Sequence, residues 1–462
     1  MKRSEIMEYR EQSIKKQNNS PRAIYILLSI GIVLVLTLCI AQIFGSRLLI
    51  FAVLFGILAC FAIAFIRNMA LPVLLFFLPW MALMRATPQS FSFFTFGLVL
   101  GCVIGVLKSG LRVRHYQFLG ALSLSVVTLI AKMMHGYSLS FAYIAFLMMI
   151  LLFPTLTLEM REQRYSFFHA VLFFSLGIII AAFCARYFAF FNNIAQYIRV
   201  DSYANITRYC GFYGDPNFYA AQVSAALSGC LALVLKTASK RHIALLCGLI
   251  VCLLYCGLMS GSKSFLIVSV VLLLMWLGQL LVQKGKVEQK VLLIAIFVLA
   301  AVYIASSTLF GDLFDIVMSR LANSNNWSDF TTHRTDIWVD YGDAIFSNIK
   351  VLLLGNGFTN IKLNDINCHN TLIQCIWQFG IIGAPVLIWW VINFLKDGMA
   401  CWNHRKPLLT VLIIMGGAFV PWLAIDILWF DDFFLLQAYV ICGLSMGYDC
   451  ESNELDTRFN VH

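Results

Sequence analysis

The chain has 462 residues, of which 61% are hydrophobic and only 12% are charged, and its mean hydropathy is +0.83. A soluble domain has too little interior to bury so much apolar surface, so this composition excludes a soluble globular protein. Apolar runs long enough to cross a hydrocarbon core of about 30 Å recur along the chain. The sequence therefore predicts an all-α polytopic membrane protein, because helices satisfy their own backbone polar groups in lipid.

The apolar runs predict about 12–14 transmembrane helices, the lower number applying if the short runs do not cross the membrane. The predicted helices are 23–43, 47–66, 70–84, 93–107, 117–134, 139–158, 168–188, 217–236, 242–260, 264–282, 290–308, 369–393, 407–424 and 431–448. This pattern divides the chain into a polar tail (1–22), eleven helices (23–308), one long loop (309–368), three helices (369–448) and a second tail (449–462). The first tail is too long and polar for the n-region of a signal peptide, and the apolar run after it lacks an A-x-A-like cleavage site, so we expect the first helix to be retained.

Basic residues are distributed unevenly between the two predicted sides of the membrane. If the helices alternate in direction, 22 of the 33 lysines and arginines lie on the side of the N-terminus. Cytoplasmic loops carry the excess of basic residues, so both termini and these loops are predicted to be cytoplasmic. The net charge of +10 then reflects topology and attraction to membrane lipid, and no nucleic-acid partner is expected.

A smaller set of cations falls on the opposite, extracytoplasmic side, close to the ends of helices and in the long loop. Its main members are Arg199, Arg208, Lys263, Arg320 and Arg334. The long loop 309–368 is the only sizeable polar segment between helices, and loops of that length are usually functional or disordered. Because short helices are predicted around residues 334–346, we favour a functional loop.

The stretch RYCGFYGDPNFYAAQ, residues 208–222, contains a predicted helix start. Asp215 is a favoured N-cap residue and Pro216 is tolerated at the first helical position. Free N–H groups and the positive end of the helix dipole form an anion site, and Arg208 is close enough in sequence to reach it. The alternative is an ordinary capped helix with an interfacial belt of aromatic residues.

Two further motifs lie on the same predicted side. Lys263 occupies a tight turn between apolar runs, where Ser262 and Ser264 can cap a helix or bind phosphate; the alternative is a lysine that extends to the interface. His369, with Asn370, is predicted in the first turn of a helix, where the dipole and nearby arginines keep imidazole neutral. Neutral imidazole can act as a general base, although a lone histidine is more often an ordinary hydrogen-bonding residue.

Taken together and in this order, the motifs resemble those of the O-antigen polymerase and O-antigen ligase superfamily. The likeness covers roughly residues 200–390. It consists of R-x-x-G-x-x-x-D-P-N at 208–217, S-G-S-K-S at 260–264, R-x-x-x-W at 334–338, L-G-x-G at 354–357, and H-N followed by Q-x-G-I-I-G at 369–383. One departure is Lys263, which stands where the family usually has arginine and lacks the bidentate fork of a guanidinium.

The resemblance implies a GT-C-like, inverting and metal-independent glycosyltransferase without a cofactor, in the bacterial plasma membrane. Its donor would be an undecaprenyl-diphosphate-linked oligosaccharide, and a flippase and a chain-length regulator of the same pathway would be its partners. The implied catalytic residues are His369 as base, with Arg334 and Arg320. The implied diphosphate ligands are Arg208, Lys263, Arg320 and Arg334, and the sugar- or acceptor-orienting residues are Asp215, Asn217, Asn370 and Trp338.

Three functions remain open at this point. We favour a polysaccharide polymerase of the O-antigen or capsule type; the alternatives are an O-antigen ligase, which shares the motifs, and a lipid-linked oligosaccharide flippase or another transporter. Transporters more often carry internal repeats and ionisable residues deep within spans, and here only Asp426 is a candidate for such a residue. Most of the 14 cysteines lie in apolar runs and are interpreted as packing residues; Cys210 and Cys368 lie beside polar motifs, but a disulfide between them is not favoured.

Overall fold

A computed structural model describes residues 20–87, 91–109, 113–156, 165–198, 201–203, 206–213, 215–237, 239–282, 333–399, 408–429 and 431–445. The predicted helix 290–308 lies outside the described residues, as do Arg199, Arg320, residues 1–19 of the first tail and the second tail. Residues 20–22, predicted as part of the first tail, belong to the first helix.

Helices make up most of the described chain. They are α1 (Ser20–Phe44), α2 (Arg47–Ile66), α3 (Ala70–Phe77), α4 (Phe93–Ser109), α5 (His115–His135), α6 (Phe141–Leu152), α7 (Phe167–Phe188), α8 (Asn192–Ala195), α9 (Pro216–Val234), α10 (Lys240–Met259), α11 (Lys263–Val282), α12 (Arg334–Ser347), α13 (Ile349–Leu354), α14 (Thr371–Gly398), α15 (Leu408–Phe419) and α16 (Asp432–Ser445). Short 3-10 turns lie at Leu78–Trp80, Val420–Ala424 and Ile427–Trp429. One small antiparallel hairpin joins β1 (Asp201–Tyr203) to β2 (Ile206–Arg208), with Ser202 opposite Thr207.

Eight helices in the described part of the chain are long and apolar enough to cross a membrane: α1, α2, α5, α7, α9, α10, α11 and α14. This confirms the prediction of a polytopic membrane protein. Five further apolar helices, α3, α4, α6, α15 and α16, are shorter. In the run predicted as a helix over 139–158, for example, α6 ends at Leu152 and a turn follows it, so this helix is shorter than the roughly 20 residues of a full crossing.

The helix α9 lies at the centre of the bundle, against α7, α10, α11 and α15, and 94% of its most apolar window is buried. Close packing depends on small residues, since helices in lipid associate largely through van der Waals contact. A Cβ atom at Gly229 would collide with the hydroxyl of Tyr439, and one at Gly417 of α15 would collide with the side chain of Ser228. The tight packing of α9 against its neighbours therefore holds its first turn in a fixed position.

The helix α14 is interrupted at Gly380, whose φ of +63° and ψ of −175° are not helical. The hydropathy of the sequence predicts one continuous helix over 369–393, so the break corrects that prediction. The carbonyl groups released by the break accept hydrogen bonds from the Leu354–Gly357 segment: Asn356 N lies 2.9 Å from Trp377 O, and Gly357 N lies 3.0 Å from Gln378 O. The backbone of the L-G-x-G motif therefore connects the long loop 309–368 to the kink of α14 at Gly380.

Candidate functional site

Arg208 lies at the end of β2, and its side chain is held between two other stretches of the chain. It is buried, with 6% of its surface exposed. Its Nε donates to Ser260 O at 2.9 Å, and its Nη2 lies 3.5 Å from Asn217 Oδ1. These contacts place one guanidinium of the predicted diphosphate site between the start of α9 and the turn that follows α10.

The start of α9 agrees with the sequence prediction, but its N–H groups are not free. Asp215 adopts an extended φ of −139° and caps the helix, and Pro216 is its first residue. The Oδ1 of Asp215 accepts from Asn217 N at 2.7 Å and from Phe218 N at 3.4 Å, while Tyr219 N donates to Asp215 O. The N–H groups assigned to an anion are therefore bonded to Asp215 itself, and the anion site predicted at these N–H groups is not formed.

The Ser-Gly-Ser-Lys-Ser turn packs directly on the first turn of α9. Ser262 Oγ donates to Asn217 Oδ1 at 3.0 Å and lies 2.8 Å from Ser264 Oγ. Lys263, the first residue of α11, is half-buried. The structure thus brings the turn together with Arg208 and Asn217, although the turn lies about 50 residues further along the chain.

A second group of predicted residues lies on α12 and on the segment before α14. Arg334 is the first residue of α12, so the predicted short helix is present and Trp338 follows Arg334 by about one turn. The indole Nε1 of Trp338 donates to Cys368 O at 3.0 Å. Tyr341, one turn further along, donates its hydroxyl to Ile366 O at 2.6 Å. These two contacts fix α12 against the backbone that leads to His369.

His369 lies two residues before α14, and the prediction that it belongs to the first turn of that helix is wrong. Asn370 is the N-cap, since its Oδ1 accepts from Leu372 N at 2.9 Å and from Ile373 N at 3.2 Å. His369 itself has a left-handed φ of +49°, a conformation that costs a residue other than glycine about 1–3 kcal/mol. The contacts around it must therefore hold this backbone in place.

The residue that holds it is Asp426, which is 5% exposed and lies in the turn between α15 and α16. Its Oδ2 accepts from His369 N at 3.1 Å, and its Oδ1 accepts from Asn370 N at 3.2 Å. The thiol of Cys368 also donates to Oδ1, at 2.8 Å. The imidazole Nδ1 of His369 lies 4.0 Å from Oδ2, so one carboxylate faces both the backbone and the ring.

The pKa of His369 is lowered from its ordinary value, chiefly because burial disfavours the imidazolium. The positive charges of Arg334 and Lys362 act in the same direction, while Asp426 and Asp215 oppose them. The direction agrees with the predicted neutral imidazole, but the principal cause is burial rather than the helix dipole. The uncharged ring can accept a proton at physiological pH.

The same charges act on Arg334. Burial lowers its pKa, and the charge of Arg208 lowers it further, while Asp215 and Asp426 raise it. A guanidinium starts from a value above about 12 and therefore stays charged. Two arginines, one histidine and two carboxylates thus influence one another electrostatically at one end of the bundle.

Several predicted site residues have partners within the protein. Asp215 and Asn370 cap helices, Asn217 accepts from the serine turn, and Trp338 binds a backbone carbonyl. These contacts position the site, and a role for the four residues in orienting sugar remains a prediction. Arg320 lies outside the described residues.

Sequence reasoning missed the role of Asp426. The sequence marks Asp426 as a candidate charge within a span or as a residue just past the end of a predicted helix, whereas it binds three consecutive residues of the histidine motif. The available signal was an aspartate directly after P-W-L-A-I, where an apolar run ends. Cys210 and Cys368 are both buried free thiols.

Comparison with known proteins gave no match for this chain among protein-family models, curated proteins or solved structures.

Proposed function

We propose that this protein is a polysaccharide polymerase of the O-antigen or capsule type. It joins undecaprenyl-diphosphate-linked oligosaccharide repeat units at the outer face of the bacterial plasma membrane. The observation that carries the proposal is the position of His369, which has a lowered pKa and lies beside Asp426 among the charges of Arg208 and Arg334. A neutral base beside fixed cations suits glycosyl transfer from a diphosphate.

In the proposed reaction, His369 takes the proton of an acceptor hydroxyl on one repeat unit. The hydroxyl oxygen forms a bond to the anomeric carbon of the donor sugar, and the bond from that carbon to the diphosphate oxygen breaks. The undecaprenyl diphosphate leaves with the bonding electron pair, and the anomeric configuration is inverted. His369 then releases its proton to solvent or to the leaving group.

The cations stabilise the charge that develops on the diphosphate. Arg208 and Arg334 offer guanidinium groups, which bind phosphate oxygens through paired hydrogen bonds. Lys263 adds a positive charge beside the same turn but no bidentate fork. Fixed charges in a partly buried site lower the barrier because they need no reorganisation as the leaving group becomes negative.

Asp426 serves the base in this proposal. Its Oδ2 lies 4.0 Å from Nδ1 of His369, which leaves Nε2 as the nitrogen that meets the acceptor. The negative charge of Asp426 stabilises the imidazolium formed during proton transfer, and its hydrogen bond from the backbone N–H holds His369 in place.

The proposal is tested by incubating the purified, membrane-reconstituted protein with its native undecaprenyl-diphosphate repeat unit and separating the products by size. We expect a ladder of lengthening lipid-linked chains from the wild type, and none from His369→Ala or Arg334→Ala. His333→Ala is the matched control, because His333 adjoins Arg334 and its side chain is 61% exposed. Folded wild-type protein that forms no new glycosidic bond with verified donor would contradict the polymerase proposal and favour a ligase or a transporter.

A further inference from the structure

A partly open cleft lies between α7 and α10, beside the segment that follows Arg208. Its apolar lining includes Ala182, Phe183, Ile198, Cys256 and Met259. The cleft therefore offers an apolar surface against which part of a hydrocarbon chain can lie.

The walls of the cleft indicate an occupant that arrives from the bilayer. Both α7 and α10 are long and apolar enough to cross a membrane. Phe183, which lines the cleft, is 41% exposed, and Tyr187, one turn along α7, is 63% exposed. Apolar side chains exposed on a spanning helix face lipid, so a lipid chain can enter sideways without crossing water.

The cleft also has a cationic end. Arg186 of α7 donates from Nη1 to the hydroxyl of Tyr255 at 2.5 Å, and its guanidinium lies 5.3 Å from the centre of the Tyr209 ring. Arg186, Tyr209 and Tyr255 all line the cleft. A guanidinium held over an aromatic ring at the mouth of an apolar cleft suits an amphiphile with an anionic head.

The cleft adjoins the candidate site along the backbone. Tyr209 directly follows Arg208, and its backbone N–H donates to Met259 O at 3.0 Å. The next residue, Ser260, accepts from Arg208 Nε. Two residues that line the cleft, Tyr209 and Met259, are therefore the direct neighbours of the pair that holds the Arg208 side chain.

We propose that the cleft binds the isoprenoid segment next to the diphosphate of the lipid-linked donor, and that Arg186 contacts the phosphate adjoining that segment. This inference rests on the proposed function, which requires a donor of this chemical class. A chain held in the cleft fixes the direction in which the diphosphate projects towards Arg208.

The first test is photo-crosslinking of the full-length protein in lipid nanodiscs. The probe is undecaprenyl diphosphate with a diazirine in the isoprene units nearest the diphosphate. We expect the label on peptides that contain Ala182–Arg186 or Tyr255–Met259. Label confined to other helices would overturn the cleft proposal. This readout needs no glycosyl transfer, so failure of the cleft is distinguishable from failure of the polymerase assay.

A pair of variants provides the second test. Ala182→Trp fills the cleft and should reduce the label at α10 by about tenfold or more. The matched control is Gly248→Trp on α10, because a Cβ at Gly248 meets no atom within 4 Å, and it should leave the label unchanged. Equal labelling in the two folded variants would contradict the proposal.

Competition separates the proposed occupant from ordinary phospholipid. Unlabelled undecaprenyl diphosphate should displace the probe from the wild-type cleft at much lower concentration than phosphatidylglycerol does. If phosphatidylglycerol competes equally well, the cleft is a phospholipid site and the assignment to the donor is wrong.

Discussion

The two halves of the candidate site are held in different ways. The arginine half comprises Arg208, Asn217 and the turn Ser260–Ser264, and three separate hydrogen bonds join its stretches: Arg208 to Ser260, Ser262 to Asn217, and Tyr209 to Met259. The histidine half comprises Trp338, the segment Cys368–Asn370 and Asp426. There, one carboxylate accepts from three consecutive residues. The arginine half is therefore held by redundant contacts, whereas in the histidine half the donors of Cys368, His369 and Asn370 share one carboxylate.

This difference in the number of separate contacts matters because the histidine half also contains the less favourable backbone conformation. His369 has a φ of +49°, and a conformation of this kind persists only where surrounding contacts impose it. Asp426 supplies two of those contacts to adjacent N–H groups. We therefore expect substitutions in the histidine half to disturb both geometry and chemistry, and substitutions in the arginine half to be absorbed more easily.

The largest effect is expected from His369→Ala, which removes the proposed base. A general base contributes about 10²- to 10⁴-fold to the rate, so the single-turnover rate should fall by that factor. Donor affinity, measured by equilibrium binding of the lipid-linked donor, should change little, because the cations remain. A comparable loss of donor affinity would show that His369 holds the diphosphate rather than the acceptor.

The next largest effect is expected from Asp426→Asn, which keeps the shape of the side chain but replaces one acceptor oxygen by an NH₂ donor. At least one buried donor among Cys368, His369 and Asn370 then loses its partner, which costs about 1–3 kcal/mol of stability. The turnover number should fall as the imidazole loses its orientation. Asp340→Asn is the matched control, since Asp340 is an exposed aspartate of α12. Thermal unfolding and turnover are measured for both variants. Unchanged stability and turnover would contradict the role given to Asp426.

The pH dependence of turnover should follow the lowered pKa of His369. The neutral ring is the active form, so activity is lost as pH falls through that pKa, and the midpoint should lie below the ordinary histidine value of about 6.5. The charge of Asp426 raises the pKa of His369, so Asp426→Asn should move the midpoint to still lower pH. Turnover against pH for both proteins measures this, and a shift to higher pH would contradict the assignment.

The smallest effect is expected in the arginine half, from Ser262→Ala. This change removes the hydrogen bond from Ser262 Oγ to Asn217, which is worth about 0.5–1.5 kcal/mol. Because the contact from Arg208 to Ser260 remains, donor affinity should stay nearly the same. Equilibrium unfolding and donor binding check this; a large loss of donor affinity would show that Ser262 binds the donor and that the arginine half is not redundant.

Much of the fold could be predicted from the sequence because hydropathy and capping are local signals. The run predicted as 47–66 is observed as Arg47–Ile66, and the Asp215-Pro216 helix start is confirmed. The break at Gly380 could not be predicted, since it depends on N–H groups from Asn356 and Gly357 that satisfy the released carbonyls. A local pattern contains no information about a partner that lies more than 20 residues away.

The candidate site shows the same limit. Arg208, Lys263, Arg334 and His369 could be selected from residue type and predicted side, whereas the contact between Asp426 and His369 joins residues 57 positions apart. Hydropathy placed Asp426 only near the end of a predicted helix. Its burial and its hydrogen bonds arise from the way the turn after α15 packs on the start of α14, as in the bond from Thr371 Oγ1 to Ile425 O.

The burial of α9 has a consequence for how the protein is made. Its hydropathy of 1.3 is the lowest among the eight candidate spans, whose other values run from 1.6 to 3.0. Small and hydroxylated residues such as Ser224, Ser228 and Gly229 suit a helix that is surrounded by protein. They suit less well a helix that moves from the translocon into lipid by itself. We expect α9 to enter the membrane together with α10 and α11, so biogenesis would complete the arginine half only after the helices that follow it have been synthesised.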